Sequence, residues 1–289
     1  MDSASASTLR TLTFSKYTDN PVPVELSPSA VGIELDYMGH YHPTAVLARL
    51  VDFSKEHGVQ GDIEAALKRF LEHAKETYFL PKQDSVWASL RLETATEEWK
   101  VTRPHHDGRY WSSSLNDEPG FLRFKCGTAL VGPPTLFWDT DSAKDEQTRK
   151  SAHKLVAVDM YEKAEKEGVK WASEPIRKWC QESLEEMGIK IVSPGLGHCV
   201  RWIVGDDERA GIHSEPDMSD LMGGRILWVF SIRNRMDRFE ETIYRRLMDS
   251  SHPSLLPAHS ISLLPGTEAQ IRALAKNWEV NFTEQEKSN

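Results

Sequence analysis

The sequence predicts a mainly β fold with flanking helices, organised as a double-sheet jelly roll with helical support. Three observations predict it. About eight short strand-like runs lie between Ser85 and Arg233, four or five of them in succession without a helix. One helical insert interrupts the series, and two amphipathic helices precede it. Strands in that number, with helices outside them, fit two packed sheets. A doubly wound α/β fold needs strands alternating regularly with helices. No glycine-rich phosphate loop follows a strand, so nucleotide binding has no support in the sequence.

The elements follow from periodicity. Thr44–His57 places Val46, Leu47, Leu50, Val51 and Ser54 at helical spacing and stops at Gly58. Asp62–Tyr78 repeats the pattern through Ile63, Ala66, Leu67, Phe70, Leu71 and Ala74. After Pro81 the period changes. Ser85–Glu93, Glu98–Arg103, Phe121–Val131, Thr135–Asp139, Lys190–Ser193, His198–Gly205, Arg209–Ser214 and Arg225–Arg233 read as strands. The insert opens with Ser142 and Asp145 as a capping box and runs to about Glu167 before Gly168. Its second helix has Ser173 as cap, Pro175 in its first turn and Gly188 at its end. Met236–Met248 and Glu268–Trp278 look helical. The expected organisation is a flexible tail over residues 1–30, then a single domain over 31–282. That domain comprises helical support at 44–78, a jelly-roll core at about 85–233 with the insert at 142–188, and C-terminal helices within 236–278.

Composition narrows the function classes. Over 289 residues, 44 acidic against 35 basic side chains give a net charge of −9, which argues against a sequence-blind grip on nucleic-acid phosphates. No run approaches the ~18 apolar residues of a membrane span. Cys126, Cys180 and Cys199 are too few and scattered for a disulfide framework or zinc ribbon. The serine-rich start lacks an apolar core of a secretory signal. A cytoplasmic protein, bound to neither membrane nor nucleic acid, is the expectation.

The chemistry concentrates in Arg103-Pro-His-His-Asp-Gly-Arg-Tyr-Trp111. His105 and Asp107 are two apart, so on an extended backbone they point the same way and His106 points the other. An imidazole and a carboxylate converging in this way form two legs of a divalent-metal site. The same spacing alone also suits a polar strand end with exposed histidines. His213, near the end of a predicted strand, supplies a third leg. Arg225, twelve positions on, opens the apolar strand Ile226–Ile232. A cation at the mouth of a buried strand needs an anionic partner, and a small dicarboxylate held by an Arg fork would supply one.

Taken in order, His105-x-Asp107, His213 and Arg225 resemble the iron(II)/2-oxoglutarate-dependent oxygenase superfamily. Gly132-Pro-Pro-Thr-Leu-Phe-Trp138 is similar to the strand after the H-x-D motif in its taurine-dioxygenase-like branch. The resemblance covers roughly Ser85–Arg233 and implies a double-stranded β-helix core. It implies Fe(II) held by His105, Asp107 and His213, with these same residues forming the catalytic centre. It implies 2-oxoglutarate as cosubstrate, its distal carboxylate on Arg225 with help from Thr135. The activity implied is hydroxylation, desaturation or cyclisation of a small-molecule metabolite by dioxygen, with release of succinate and carbon dioxide. Because Asp107 is present, halogenation is disfavoured.

Other residues carry less. Arg109, Tyr110 and Trp111 suit packing or a cavity wall, and Lys125, Arg233 and Arg235 are further candidates for a carboxylate clamp. His198 reads as structural or cavity-lining, and His40 and His42 as surface loop. Two alternatives remain open on the residues alone. One is a cupin-like metalloenzyme that does not use 2-oxoglutarate; the other is a non-catalytic jelly-roll interaction protein.

Overall fold

A computed structural model describes residues 10–30, 32–40, 42–78, 85–107, 123–205, 208–221, 224–233 and 258–263. The first half supplies β1 (Leu12–Lys16), β2 (Val24–Leu26), β3 (Ile33–His40), α1 (Pro43–Glu56), β4 (Val59–Gly61), α2 (Ile63–Tyr78), β5 (Ser85–Glu93), β6 (Arg123–Val131) and β7 (Leu136–Trp138). The insert consists of α3 (Glu146–Lys154), a π-helical turn over Leu155–Asp159, α4 (Met160–Glu167) and α5 (Glu174–Glu186). Then come β8 (Ile191–Val192), β9 (His198–Val204), β10 (Ile212–Ser214), β11 (Arg225–Arg233) and β12 (Ala258–Leu263).

A seven-stranded sheet runs in the order β1-β9-β6-β11-β5-β3-β12, antiparallel except where β12 lies parallel to β3. A smaller sheet runs β10-β7-β8, and His105 joins its edge by bridging His213. The pairings nest. β5 pairs β11, His105 pairs with β10, β6 pairs β9, and β7 pairs β8.

Each sheet has a helical cover on its outer face. On the large sheet, Leu35, Tyr37, Val86, Ala88, Leu90 and Leu92 fall at alternate positions. They pack against Val46, Leu50 and Phe53 of α1 and Leu67, Phe70 and Ala74 of α2. Each buried Val, Leu or Phe among these contributes roughly 1.5–3 kcal/mol. On the small sheet, Trp138 and Ile212 pack against Leu155, Met160, Ile176, Cys180 and Leu184 of the insert. The order of layers is therefore helices, large sheet, small sheet, helices. The space between the sheets is left to the inward-facing residues.

Several sequence expectations change. Residues 1–30 are not all tail, because β1 pairs with β9 at the sheet edge, where Leu12 lies buried opposite Trp202. The strand β3 was not anticipated and carries His40 at its end, so His40 does not lie in a loop. Glu98–Arg103 is not a strand. Its polar groups are taken up by a turn (Lys100 N to Glu97 O, 3.3 Å) and by α5, where Arg177 donates to Glu98 O and Thr102 to Gln181. In the insert, Asp145 rather than Ser142 caps the helix, its carboxylate accepting from Thr148 N at 2.7 Å. The expected helices at 236–248 and 268–278, and Arg109, Tyr110, Trp111 and Arg235, lie outside the described residues. No helix among the described residues is long and apolar enough to cross a membrane.

Candidate metal centre

Two segments 108 residues apart meet at an antiparallel bridge. His105 N donates to His213 O at 3.0 Å and His213 N to His105 O at 3.1 Å. Such a doubly bonded pair puts the two side chains on the same face, and the rings lie 4.3 Å apart between centroids. Two residues along, Arg103 and Glu215 form an ion pair at 3.2 Å, and Arg103 N donates to Ser214 Oγ at 2.7 Å. In the other direction both segments turn to β9 and its end: Asp107 O accepts from Gly205 N at 3.1 Å, and Gly211 N donates to Ile203 O at 2.9 Å. A Cβ at Gly211 would sit 2.9 Å from the Trp202 Cβ, so only glycine lets Trp202 close on the site and donate to Asp107 Oδ2 at 3.1 Å.

The ligand atoms converge. His105, Asp107 and His213 each offer one, all within 4.8 Å of one another. The tautomers are set by the backbone: His105 Nδ1 donates to Arg103 O (2.8 Å) and His213 Nδ1 to Gly211 O (3.0 Å). Each imidazole therefore keeps its Nε2 lone pair for the site, the usual arrangement behind a metal-binding histidine. His213 Nε2 stands 3.3 Å from Asp107 Oδ2. Two lone-pair-bearing atoms facing at that distance need a cation or a proton between them. A divalent cation meets that need for all three groups at once, so the residues fit a metal.

The charge states also fit. Burial, with the Arg103 guanidinium and His213 adding to it, pushes His105 down to about 3, so it stays neutral at ordinary pH. Burial would raise Asp107, but Lys125, His213 and His105 together hold it below the usual carboxylate range. Lys125 reaches Asp107 Oδ1 at 3.0 Å. A carboxylate has about four lone-pair directions, so these two donors still leave Asp107 able to bind a metal. Neutral imidazoles and an ionised carboxylate are the binding forms.

His106 turns away, as the period of two predicts. Its Nε2 lies 3.2 Å from Nδ1 of the buried His153 on α3. One turn earlier on that helix, Arg149 donates to Glu208 O in the loop before β10. The insert thereby holds both loops that carry the ligands.

Thr135 and Arg225 come together where the loop after β6 meets the start of β11. Gly132, at φ +78°, packs where a Cβ would lie 2.8 Å from Gly224 O, which brings the Pro133–Thr135 loop against β11. Arg225 is fully buried. It donates through Nε to Pro133 O (2.7 Å), through Nη1 to Glu93 Oε2 (2.6 Å) and through Nη2 to Thr135 Oγ1 (3.0 Å). The anionic partner that the sequence demands for Arg225 is thus present inside the protein, as Glu93.

Sequence reasoning missed Glu93 and the network around it. Arg91 pairs with Glu34 at 2.9 Å and approaches Glu215 at 4.0 Å. Ser89 and Trp87 donate to Asp36 at 2.6 and 2.8 Å. The available signal was ionisable residues at alternate positions, Glu34 and Asp36 on β3 and Arg91 and Glu93 on β5, on strands whose other face is wholly apolar. Comparison with known proteins adds no family to this geometry: no protein-family model matches the chain, and no curated protein matches it.

Proposed function

We propose that this protein is a mononuclear non-haem iron oxygenase that uses 2-oxoglutarate as cosubstrate and acts on a small molecule. The observation that carries this reading is the convergence of His105, Asp107 and His213 on one face, with both imidazole tautomers fixed. Two histidines and one carboxylate on one side of a metal leave positions open on the other, the arrangement typical of non-haem iron(II) oxygenases. The nested strand pairing supports a jelly-roll core, since folding a long antiparallel pair over itself joins first strand to last and second to second-last. Thr135 and Arg225 lie together, as a clamp for a distal carboxylate requires.

The chain's own residues would divide the work. His105, Asp107 and His213 would hold the metal, with Arg103 O and Gly211 O orienting the imidazoles. Lys125 and Trp202 would keep Asp107 ionised and aimed. Arg225 and Thr135 would orient the cosubstrate, and Phe137 and Trp202, flanking His213 at 5.8 and 5.6 Å between centroids, would exclude water from one side. Bound there, ferrous iron would couple the oxidative decarboxylation of 2-oxoglutarate to oxidation of a substrate C–H bond, with dioxygen as the oxidant for both and succinate and carbon dioxide as products.

One observation favours a second reading, a metalloenzyme of the same architecture that does not use 2-oxoglutarate. Arg225 already has a carboxylate partner in Glu93. Titrating protein loaded with a redox-inert divalent metal separates the two. Under the first reading, 2-oxoglutarate at 100 times Kd stabilises the fold by about 2.7 kcal/mol, and the iron-loaded protein releases succinate. Metal binding without either effect would favour the second.

A further inference from the structure

The Glu93–Arg225 pair departs from what a simple carboxylate clamp requires. The two residues face each other across β5 and β11 in direct register. Their side chains are 2% and 0% exposed, so water does not screen them. All three nitrogens of the guanidinium are engaged: Nε by Pro133 O, Nη2 by Thr135 and Nη1 by Glu93. A second carboxylate arriving at Arg225 must therefore approach an edge beside Glu93. Like charges placed together in a desolvated site repel strongly.

We propose that Glu93 is an internal competitor for the clamp, and that it sets how tightly a dicarboxylate 2-oxo acid binds. The inference rests on the reading of Arg225 as the cosubstrate clamp. In it, the distal carboxylate of the ligand takes the Arg225 edge that Glu93 holds in this structure, and Glu93 yields. A second cation is at hand, because Arg91 lies two residues earlier on the same face of β5 and feels the charge of Glu93. The exchange replaces one buried carboxylate by another on the same guanidinium, so the interior stays paired. Affinity for the dicarboxylate is then the difference between two similar ion pairs, not the full strength of one.

The test compares wild type with Glu93→Gln, each loaded with Mn(II), against two probes. One is 2-oxoglutarate; the other is 2-oxopentanoate, which has the same chain without the distal carboxylate. Removing the competing charge should tighten 2-oxoglutarate binding by about tenfold or more and leave 2-oxopentanoate unchanged. The variant should also melt lower than wild type by itself, and should gain more from 2-oxoglutarate, since the ligand then restores the missing anion. Unchanged or weakened 2-oxoglutarate affinity in the variant, with wild type still binding it, would overturn the competition while leaving the clamp standing. Equal tightening of both probes would overturn it too, because the effect would not involve the distal carboxylate. If neither protein binds 2-oxoglutarate, the clamp reading fails and the inference with it. Should Glu93→Gln fail to fold, Glu93→Asp draws the carboxylate back by one methylene and should shift affinity in the same direction by less.

Discussion

The two faces of the large sheet are made by the same strands and have opposite chemistry. Outward, Leu35, Leu90 and Leu92 meet Leu50 and Phe70 in an apolar layer that any close-packed helix cover could serve. Inward, Glu34, Asp36, Glu93 and Arg225 are just as buried, with Arg91 half-buried beside them, yet each carries a charge or a carboxyl group. Burial of apolar surface stabilises without direction, whereas buried ions must be paired and hydrogen-bonded or they destabilise. The outward face therefore stabilises without choosing a position, and the inward face fixes positions and holds only while its charges stay paired. Glu215 illustrates this: it pairs with Arg103 and lies two residues from His213, so the ion pair stands beside the bridge that joins the two candidate ligand histidines.

The largest expected effect comes from breaking the inward face. Arg225→Ala leaves Glu93 buried without its partner and should lower the unfolding free energy by about 3–5 kcal/mol. The double variant Arg225→Met with Glu93→Gln should recover much of that, because it removes both charges. On the outward face, Leu50→Ala should cost about 2–5 kcal/mol through a cavity, with metal affinity unchanged. Urea unfolding alongside metal titration reads both. If Leu50→Ala weakened metal binding as much as it weakened the fold, the two faces would not be separable.

Next in size is the ligand set. His213→Ala should abolish metal binding and turnover while changing stability by about 0.5–3 kcal/mol, the common range for single substitutions. Full activity in that variant, measured as succinate release, would end the assignment.

How much of this was legible in the sequence differs between the same two faces. The ranges of β5 and β11 are read correctly because alternation on the outward side is unbroken from Val86 to Leu92 and because Arg225 marks a strand start. The direction of His106 also follows from the period of two alone. By contrast, the alternation in Ile33-Glu34-Leu35-Asp36-Tyr37 was overlooked, since its polar members look like surface residues until a second sheet covers them. The pairing of His105 with His213, and of Arg225 with Glu93, depends on strands brought together over more than a hundred residues. Local pattern holds no record of which strand lies beside which. Glu98–Arg103 failed for a related reason, because α5 outcompetes a sheet for its backbone and side-chain partners.

A smaller effect concerns pH. The folded pKa of His105, about 3, lies below its unfolded value of about 6.5. Between these values the unfolded chain binds the proton and the folded one does not, so stability is full above about 6.5 and falls as pH drops towards 3. Each such histidine contributes up to about 1.4 kcal/mol per pH unit. His106 is also pushed well below its ordinary value, by burial and then by His153. His106→Asn should therefore flatten the loss of stability of the metal-free protein between pH 6.5 and 5, as chemical denaturation at the two pH values would record. An unaltered slope would mean that His106 does not stay neutral in the fold.

The central claim is that His105, Asp107 and His213, and not His106, form a metal centre. Metal analysis of His105→Ala and His106→Ala, purified side by side with wild type, tests it most directly. The account predicts one divalent metal per chain in wild type and in His106→Ala, and none in His105→Ala, whose two remaining ligands leave the ion largely to solvent. A fully loaded His105→Ala protein beside a metal-free His106→Ala protein would contradict it.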